Sequence, residues 1–323
     1  MATFSSERMQ ADLAGLGLTT LSADAPLAAH SSWQIGGPAD LLVEPASVSE
    51  VCTVVQYARA HGLPLLVIGQ GSNLLFDDAG LRGIVLKVGR RLADLEIAGR
   101  RISAGAGLWV PGLARAAQRA GIAGFEHIVG IPGTVGGLVV MNGGSRRQGI
   151  GDLVRRVWVV DREGNQASLT RQECGFGYRC SNLQGSGSLV VRVELEGRAG
   201  EGRQIRREML ADLRERRGKF PRKEPNCGSV FLSTAAMHAS VGPPGRIIEE
   251  AGLKGASIGA AEVSRRHANF IVNRGGATSR DVLALIAHIR QVVMERIGFE
   301  LQCEVRYVDP RGGVMPADRA LTP

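Results

Sequence analysis

Apolar residues in this chain fall into short runs broken by glycine, proline or polar clusters, which predicts many short strands and a few helices. Asp40-Leu-Leu-Val-Glu44 reads as a strand closed by Pro45. Ser47 or Ser49 then caps a helix whose Val51, Val54, Val55 and Ala58 keep helical spacing, and Gly62 stops it. Pro64–Ile68 is a buried strand that runs into the loop Gly69-Gln-Gly-Ser-Asn73, so strand, helix, strand and glycine loop form a βαβ-like unit. Strands follow at Gly83–Val88 and Asp94–Ser103, then a helix at about Val110–Ala120. Val154–Val160 and Gln166–Thr170 flank Glu163-Gly-Asn165, a hairpin signal, and Leu189–Glu196 sets Val and Leu at alternate positions.

Beyond a linker candidate at Gly197–Gly202 the pattern changes. A basic helix at about 204–217 leads to a proline-rich loop, the segment Gly228-Ser-Val-Phe231 and a helix Gly245–Ala251. Thr278, with Asp281 three residues on, caps the strongest helix, whose Val282, Leu285, Ile286, Ile289, Val293 and Ile297 make one apolar stripe ended by Gly298. A last strand is expected at Leu301–Val308. Residues 1–20 read as a short leader helix, and those after Pro310 as frayed.

At 323 residues, 44% apolar and 22% charged, the chain is globular and long enough for two or three domains. Its 44 glycines are twice the usual ~7% and follow no three-residue period, so they mark tight turns and close backbone approaches. The net charge of +8 favours anionic partners, but the arginines are dispersed and the densest stretch, Arg203–Lys223, is interleaved with Glu208, Asp212, Glu215 and Glu224. Five cysteines with no C-x-x-C pair support neither a disulfide framework nor a zinc ribbon. With no apolar leader and no long apolar run, the chain reads as a cytoplasmic protein with no membrane partner.

Candidate chemistry begins with exclusions. Gly69-x-Gly71 lacks the third glycine and following helix of a Rossmann fingerprint, and no P-loop appears. H-E-x-x-H is absent and the histidines are isolated, so no metal is expected. What remains is two glycine clusters, Gly69–Asn73 and Gly130-Ile-Pro-Gly-Thr-Val-Gly-Gly137, the second continuing into Met141-Asn-Gly-Gly144. Successive small residues expose backbone N–H groups that can form an anion nest, and Ser72, Asn73 and Thr134 add side-chain donors. Two such clusters on this frame favour a dinucleotide site over plain turns.

These segments, with Ile35-Gly-Gly-Pro-Ala39, Tyr178-Arg-Cys-Ser181, Gly228-Ser-Val-Phe231, Gly252-Leu-Lys-Gly255, His267-Ala-Asn-Phe-Ile271 and Glu304-Val-Arg306, occur in the order found in the UDP-N-acetylenolpyruvoylglucosamine reductase family, which the chain resembles over roughly 30–309. The resemblance implies an α+β class: a vanillyl-alcohol-oxidase/PCMH-type FAD-binding fold in two α+β subdomains, followed by a C-terminal α+β substrate-binding domain. The ranges implied are a leader (1–30), an FAD domain (31–198, subdomains about 31–88 and 89–198), a substrate domain (203–309, whose final strand 301–308 can pack back on the FAD domain) and a tail (310–323).

The activity implied is reduction of a UDP-sugar enolpyruvyl ether to UDP-N-acetylmuramate, in peptidoglycan precursor synthesis, with noncovalent FAD as cofactor and NADPH as co-substrate. Gly69, Gln70, Gly71, Ser72, Asn73, Gly130, Ile131, Pro132, Gly133, Thr134, Gly136 and Gly137 are the implied cofactor-binding residues. Hydride addition to the vinyl carbon pushes charge onto the neighbouring carboxylate, where family position makes Arg179 the waiting cation. Ser229 matches the proton donor to C2. Glu304 matches a third catalytic residue, expected either protonated or bonded to a cation such as Arg179. Tyr178, Asn142 and Ser233 are implied on the substrate side.

The chain departs from the family pattern after Phe231, where the usual Asn-Pro is replaced by the longer Leu232–Val241, so that Ser233 or Thr234 is left to meet the diphosphate. The short connection Cys180–Ser188 leaves no room for a long tyrosine-bearing loop, which makes this a type II chain. Cys180 and Cys227, beside expected catalytic positions, read as packing residues. Partners are expected to be small molecules, with the protein a monomer or weak oligomer. Two alternatives stand beside this reading: another FAD-dependent oxidase or dehydrogenase of the same fold, and a basic nucleic-acid-binding protein. Dispersed arginine and 4% aromatics weigh against the second.

Overall fold

The computed structural model describes residues 5–320; the outermost parts of the expected leader and tail, 1–4 and 321–323, lie outside the described residues. The chain divides into two units, each discontinuous in sequence. One takes residues up to Asp24, Asp40–Gln70 and Gly83–Arg216; the other takes Ala25–Ala39, Gly71–Arg82 and residues from Arg217 on.

In the first unit, alternation at Leu189–Glu196 produces the middle strand of a five-stranded antiparallel sheet, in the order Gln166–Thr170, Val154–Val160, Leu189–Glu196, Arg101–Gly105, Leu95–Ala98. The single strand expected over 94–103 is instead a hairpin, because Gly99 adopts φ +60° and reverses the chain. The helix Val135–Val140 packs on the middle strand. A second sheet orders Leu21–Pro26, Pro38–Val43, Leu81–Lys87 and Leu65–Ile68. Its helix, Val48–Ala60, starts where Ser47 accepts the Glu50 N–H at 3.1 Å and Glu50 accepts from Ala46 N at 2.8 Å. That helix links two strands that do not neighbour each other: Leu81–Lys87 inserts between them, parallel to Leu65–Ile68.

The expected linker 197–202 is not a free connection. Arg198–Ala199 pairs with Ile122–Ala123, and the arginine-rich helix starts at Gly202 and runs to Lys219. That helix buries Ile205 and Met209, while Asp212 is paired with Arg146.

In the second unit the capping box predicted at Thr278 is complete, and Gly298 ends the helix Ser279–Ile297 at φ +70°. Its stripe of Val282, Leu285, Ile286, Ile289 and Val293 is buried with Trp33, Phe231 and Ile247. The strand expected over 301–308 is regular only at Arg306–Val308. Val230 O accepts from both Glu304 N (2.8 Å) and Val305 N (3.4 Å), and this shared acceptor interrupts the ladder. Arg306–Val308 runs parallel to Leu74–Phe76 and antiparallel to Val314–Pro316. The described part of the tail is therefore ordered and not frayed: Ala317 is buried, and the Asp318 carboxylate accepts Cys303 N at 3.0 Å.

Candidate active site

Glycines at 69 and 107 are dictated by space. A Cβ on Gly69 would lie 2.4 Å from Thr134 Oγ1, and one on Gly107 would lie 1.8 Å from Gly89 O. Close packing at these glycines borders a cavity of about 500 Å3 in the first unit, lined by Gly69, Gln70 and Thr134 together with Glu44, Lys87, Arg90 and Trp109. Lys87 Nζ and Glu44 Oε1 are 3.2 Å apart at its wall. Sequence reasoning had missed these last four residues. The one available signal was Lys87-x-x-Arg90, a basic pair at the end of a buried strand.

The second glycine cluster does not present an unbroken nest. Val135 N and Gly136 N are taken by Leu108 O (2.9 Å) and Ala106 O (2.8 Å), so those amides fasten the segment to its neighbour. Gly130 stands where a Cβ would meet the Arg216 side chain, Ile131 packs against the core, Gly133 sits at φ +131°, and Pro132 and Gly137 are exposed. Gly71, at φ +58°, begins the middle segment of the second unit, and a Cβ there would come within 2.0 Å of His30 O. Ser72 next to it is half-buried.

Tyr178 and Arg179 form the tip of a two-residue turn closed by paired hydrogen bonds between Gly177 and Cys180. Arg179 holds φ +54°, a left-handed conformation costing a non-glycine residue about 1–2 kcal/mol. Such a departure persists only where surrounding contacts enforce it, and it concentrates at functional sites. The guanidinium donates from Nη2 to Gly144 O at 2.8 Å and lies 5.3 Å from the Tyr178 ring centroid. Tyr178 is half exposed beside it. Asn142, expected to bind substrate, is buried, and its amide is engaged by backbone on both sides: it donates to Gly177 O (2.6 Å) and accepts from Gly151 N (2.8 Å).

Ser229 and Glu304 are brought together within the second unit, although 75 residues separate them in sequence (304 − 229). Phe231 pairs with Cys303, and Glu304 N donates to Val230 O at 2.8 Å, so the two expected catalytic residues stand on adjoining segments. Ser229 is flanked by fixed backbone: Gly228 N donates to Asn226 Oδ1 (2.9 Å) and Val230 N to Asn269 O (2.9 Å). Asn73 has a role that was not foreseen. Its Nδ2 donates to Glu304 O (3.2 Å) and its carbonyl accepts Arg306 N (3.0 Å), tying the glycine loop to the Glu304 segment.

The unusual stretch 232–241 contains a short helix, Ala235–Ser240, capped by Thr234, whose hydroxyl accepts Met237 N at 3.2 Å. Of the two hydroxyls expected to meet the diphosphate, Thr234 is thus used as a cap, and Ser233 is hydrogen-bonded to His238 Nε2 at 2.7 Å.

The two neighbouring cysteines differ sharply. Cys227 is buried, its thiol donates to Leu74 O (3.4 Å), and burial pushes its pKa up to about 12. Cys180 is exposed. Iodoacetamide at pH 8 followed by peptide mapping is expected to modify Cys180 early and Cys227 only after unfolding. Early labelling of Cys227 would contradict its packing role.

Comparison with known proteins fits this geometry. The family model for the C-terminal domain of UDP-N-acetylenolpyruvoylglucosamine reductase matches residues 220–308, and an FAD binding domain model matches 39–170. The chain is 47% identical to UDP-N-acetylenolpyruvoylglucosamine reductase 1 of Corynebacterium glutamicum over 89% of its length and 86% of that protein. It is 46% identical to the reductase of Heliobacterium modesticaldum, over 89% and 90% of the two chains. The crystal structure of the Thermus caldophilus reductase superposes with a TM-score of 0.75 at 33% identity, covering 89% of this chain and 97% of that one. The α+β class and the FAD-binding fold expected from the motifs are borne out. With identity of this level spread over nearly the whole length of both relatives, the chain belongs to the UDP-N-acetylenolpyruvoylglucosamine reductase family.

Proposed function

We propose that this protein reduces UDP-N-acetyl-3-O-(1-carboxyvinyl)glucosamine to UDP-N-acetylmuramate, with NADPH as reductant and noncovalently held FAD as the redox group. The observation that carries the reading is the 47% identity to a reductase of that name along 89% of the chain. The cavity suits such a cofactor. Its volume of about 500 Å3 falls within the ~300–1,000 Å3 range of ligand pockets, and Lys87 and Arg90 on its wall suit a pyrophosphate. The absent Cβ atoms at Gly69 and Gly107 let Thr134 and Gly89 pack closely at its edge.

The chemistry FAD supplies when bound is transfer of a hydride, taken from NADPH, to the vinyl carbon of the enolpyruvyl ether. Arg179 meets the negative charge that this addition drives onto the adjacent carboxylate, since a planar guanidinium matches two carboxylate oxygens. Ser229 gives its hydroxyl proton to C2, so one hydride and one proton together saturate the double bond. Glu304 is read as the third member of the catalytic set. Lys87, Arg90 and the surplus of +8 suit reactants that are all anions. The same reading takes the protein to act in the cytoplasm as a monomer or weak oligomer on small molecules, without a nucleic-acid partner. Among the described residues no helix is long and apolar enough to cross a membrane.

The test is anaerobic stopped-flow at the flavin absorbance band. NADPH should bleach the flavin, and the UDP-sugar enolpyruvyl ether should restore it with one UDP-N-acetylmuramate formed per flavin. Bleaching without recovery would remove the substrate from the reading. Absence of flavin after FAD is added back would remove the cofactor as well.

A further inference from the structure

The segment 140–144 and the turn bearing Arg179 are joined by more hydrogen bonds than a chance contact provides. Asn142 Nδ2 donates to Gly177 O at 2.6 Å, and Arg179 Nη2 donates to Gly144 O at 2.8 Å. Ser181 Oγ donates to Val140 O at 2.6 Å, and Gln184 Nε2 bridges Val140 O and Arg179 O at 3.1 Å each. Asn142 is central to this lattice. It is buried, it sits at φ +41°, and its Oδ1 accepts Gly151 N at 2.8 Å, which fixes the plane of the amide.

With the oxygen and one N–H of its amide engaged by backbone, Asn142 is poorly placed to serve substrate. We infer that Asn142 is a positioning residue for Arg179: it holds the Gly177–Cys180 turn in its left-handed form and, through its own positive φ, aims the Gly144 carbonyl at the guanidinium. The inference rests on the catalytic reading of Arg179 given above. Three observations converge on it: two strained non-glycine residues, one on each of the joined segments, a donor aimed at the carbonyl that opens the turn, and a carbonyl two residues from Asn142 that receives the arginine itself. A cation meant to meet developing charge must be held before the reaction begins, and a misplacement of about 1 Å can lower the rate by about 10²-fold.

Two substitutions separate the contributions. Asn142→Gly keeps the backbone angle and removes the amide, whereas Asn142→Asp keeps an acceptor for Gly151 N–H and sets a carboxylate oxygen against Gly177 O. Each should slow flavin reoxidation at saturating substrate by about 10- to 100-fold. Substrate Kd and flavin reduction by NADPH should stay close to wild type, and amide hydrogen exchange should rise over 176–182 without a global increase. In an Arg179→Ala background neither should slow reoxidation further, because a residue acting only through Arg179 has nothing left to position.

A raised Kd with an undiminished maximal rate would make Asn142 a direct substrate contact and overturn the inference. Further slowing in the Arg179→Ala background would do the same, as would equal loss of both half-reactions with globally faster exchange. A wild-type protein that the UDP-sugar ether fails to reoxidise would overturn the catalytic reading. The exchange measurement still decides the positioning in that case: a local rise supports it, and unchanged exchange over 176–182 overturns it.

Discussion

Ser229→Ala is expected to slow reoxidation of the reduced flavin by substrate about 10²–10⁴-fold, the range of a lost general acid, while NADPH bleaches the flavin at nearly the wild-type rate. The asymmetry follows from where the hydroxyl acts. A proton is needed at C2 only after hydride has reached the vinyl carbon, so reduction by NADPH does not involve it. A serine hydroxyl is a weak acid, but the enolate-like charge it meets is a strong base, and a short fixed path is what matters. The backbone on either side of Ser229 is held, since Gly228 N and Val230 N are tied to Asn226 and Asn269. Rapid-mixing absorbance of the two half-reactions decides it, and equal slowing of both would remove the proton-donor role.

Arg179→Lys should lower the same half-reaction by about 10²–10³-fold, comparable with loss of one preorganised donor at a developing oxyanion. Charge is preserved in this variant, so the loss measures geometry. An ammonium cannot span two carboxylate oxygens. Nor does it offer the separate Nη2 that donates to Gly144 O. Stopped-flow at saturating substrate, with Kd determined separately, distinguishes this from weaker binding. A lysine variant with an unchanged maximal rate would show that charge alone suffices.

Local patterning made much of the first unit legible. The hairpin signal at Glu163-Gly-Asn165 placed Val154–Val160 and Gln166–Thr170, and alternation placed Leu189–Glu196, all with their observed limits. The helix at Thr278 was legible from its cap and stripe. Pairings over long separations left no such trace. Trp33 gives its indole N–H to Ile271 O at 2.8 Å across 238 positions, and nothing near either residue announces it. The break in the last strand depends on one carbonyl, Val230 O, receiving two amides, which no period encodes.

The site divides the same way. The glycine loops could be singled out from the residues themselves, because close backbone approach restricts residue type, whereas Arg179 and Ser229 stood out only through the resemblance to the family. Glu44 and Trp109 could not be singled out, since nothing in their local sequence sets a cavity wall apart from a surface, and Lys87 left only the trace of a basic pair with Arg90. The duties of Asn73 and Asn142 toward distant backbone were hidden because an amide reads alike whether it faces a ligand or a carbonyl.

The parallel pairing of Leu74–Phe76 with Arg306–Val308 sets a timetable for biosynthesis. During translation the earlier strand leaves the ribosome 232 residues before its partner (306 − 74), and Trp33 waits slightly longer, 238 residues, for Ile271. Through that interval the first unit's Gly83–Arg216 is already available to fold, whereas Leu75, Phe76 and Trp33 have no completed core to enter. Closing so long a loop adds little to the equilibrium cost, about 0.6 kcal/mol per doubling of length, but distant contacts slow folding. A nascent chain stalled short of Arg306 would therefore expose aromatic surface and be a natural client for a chaperone.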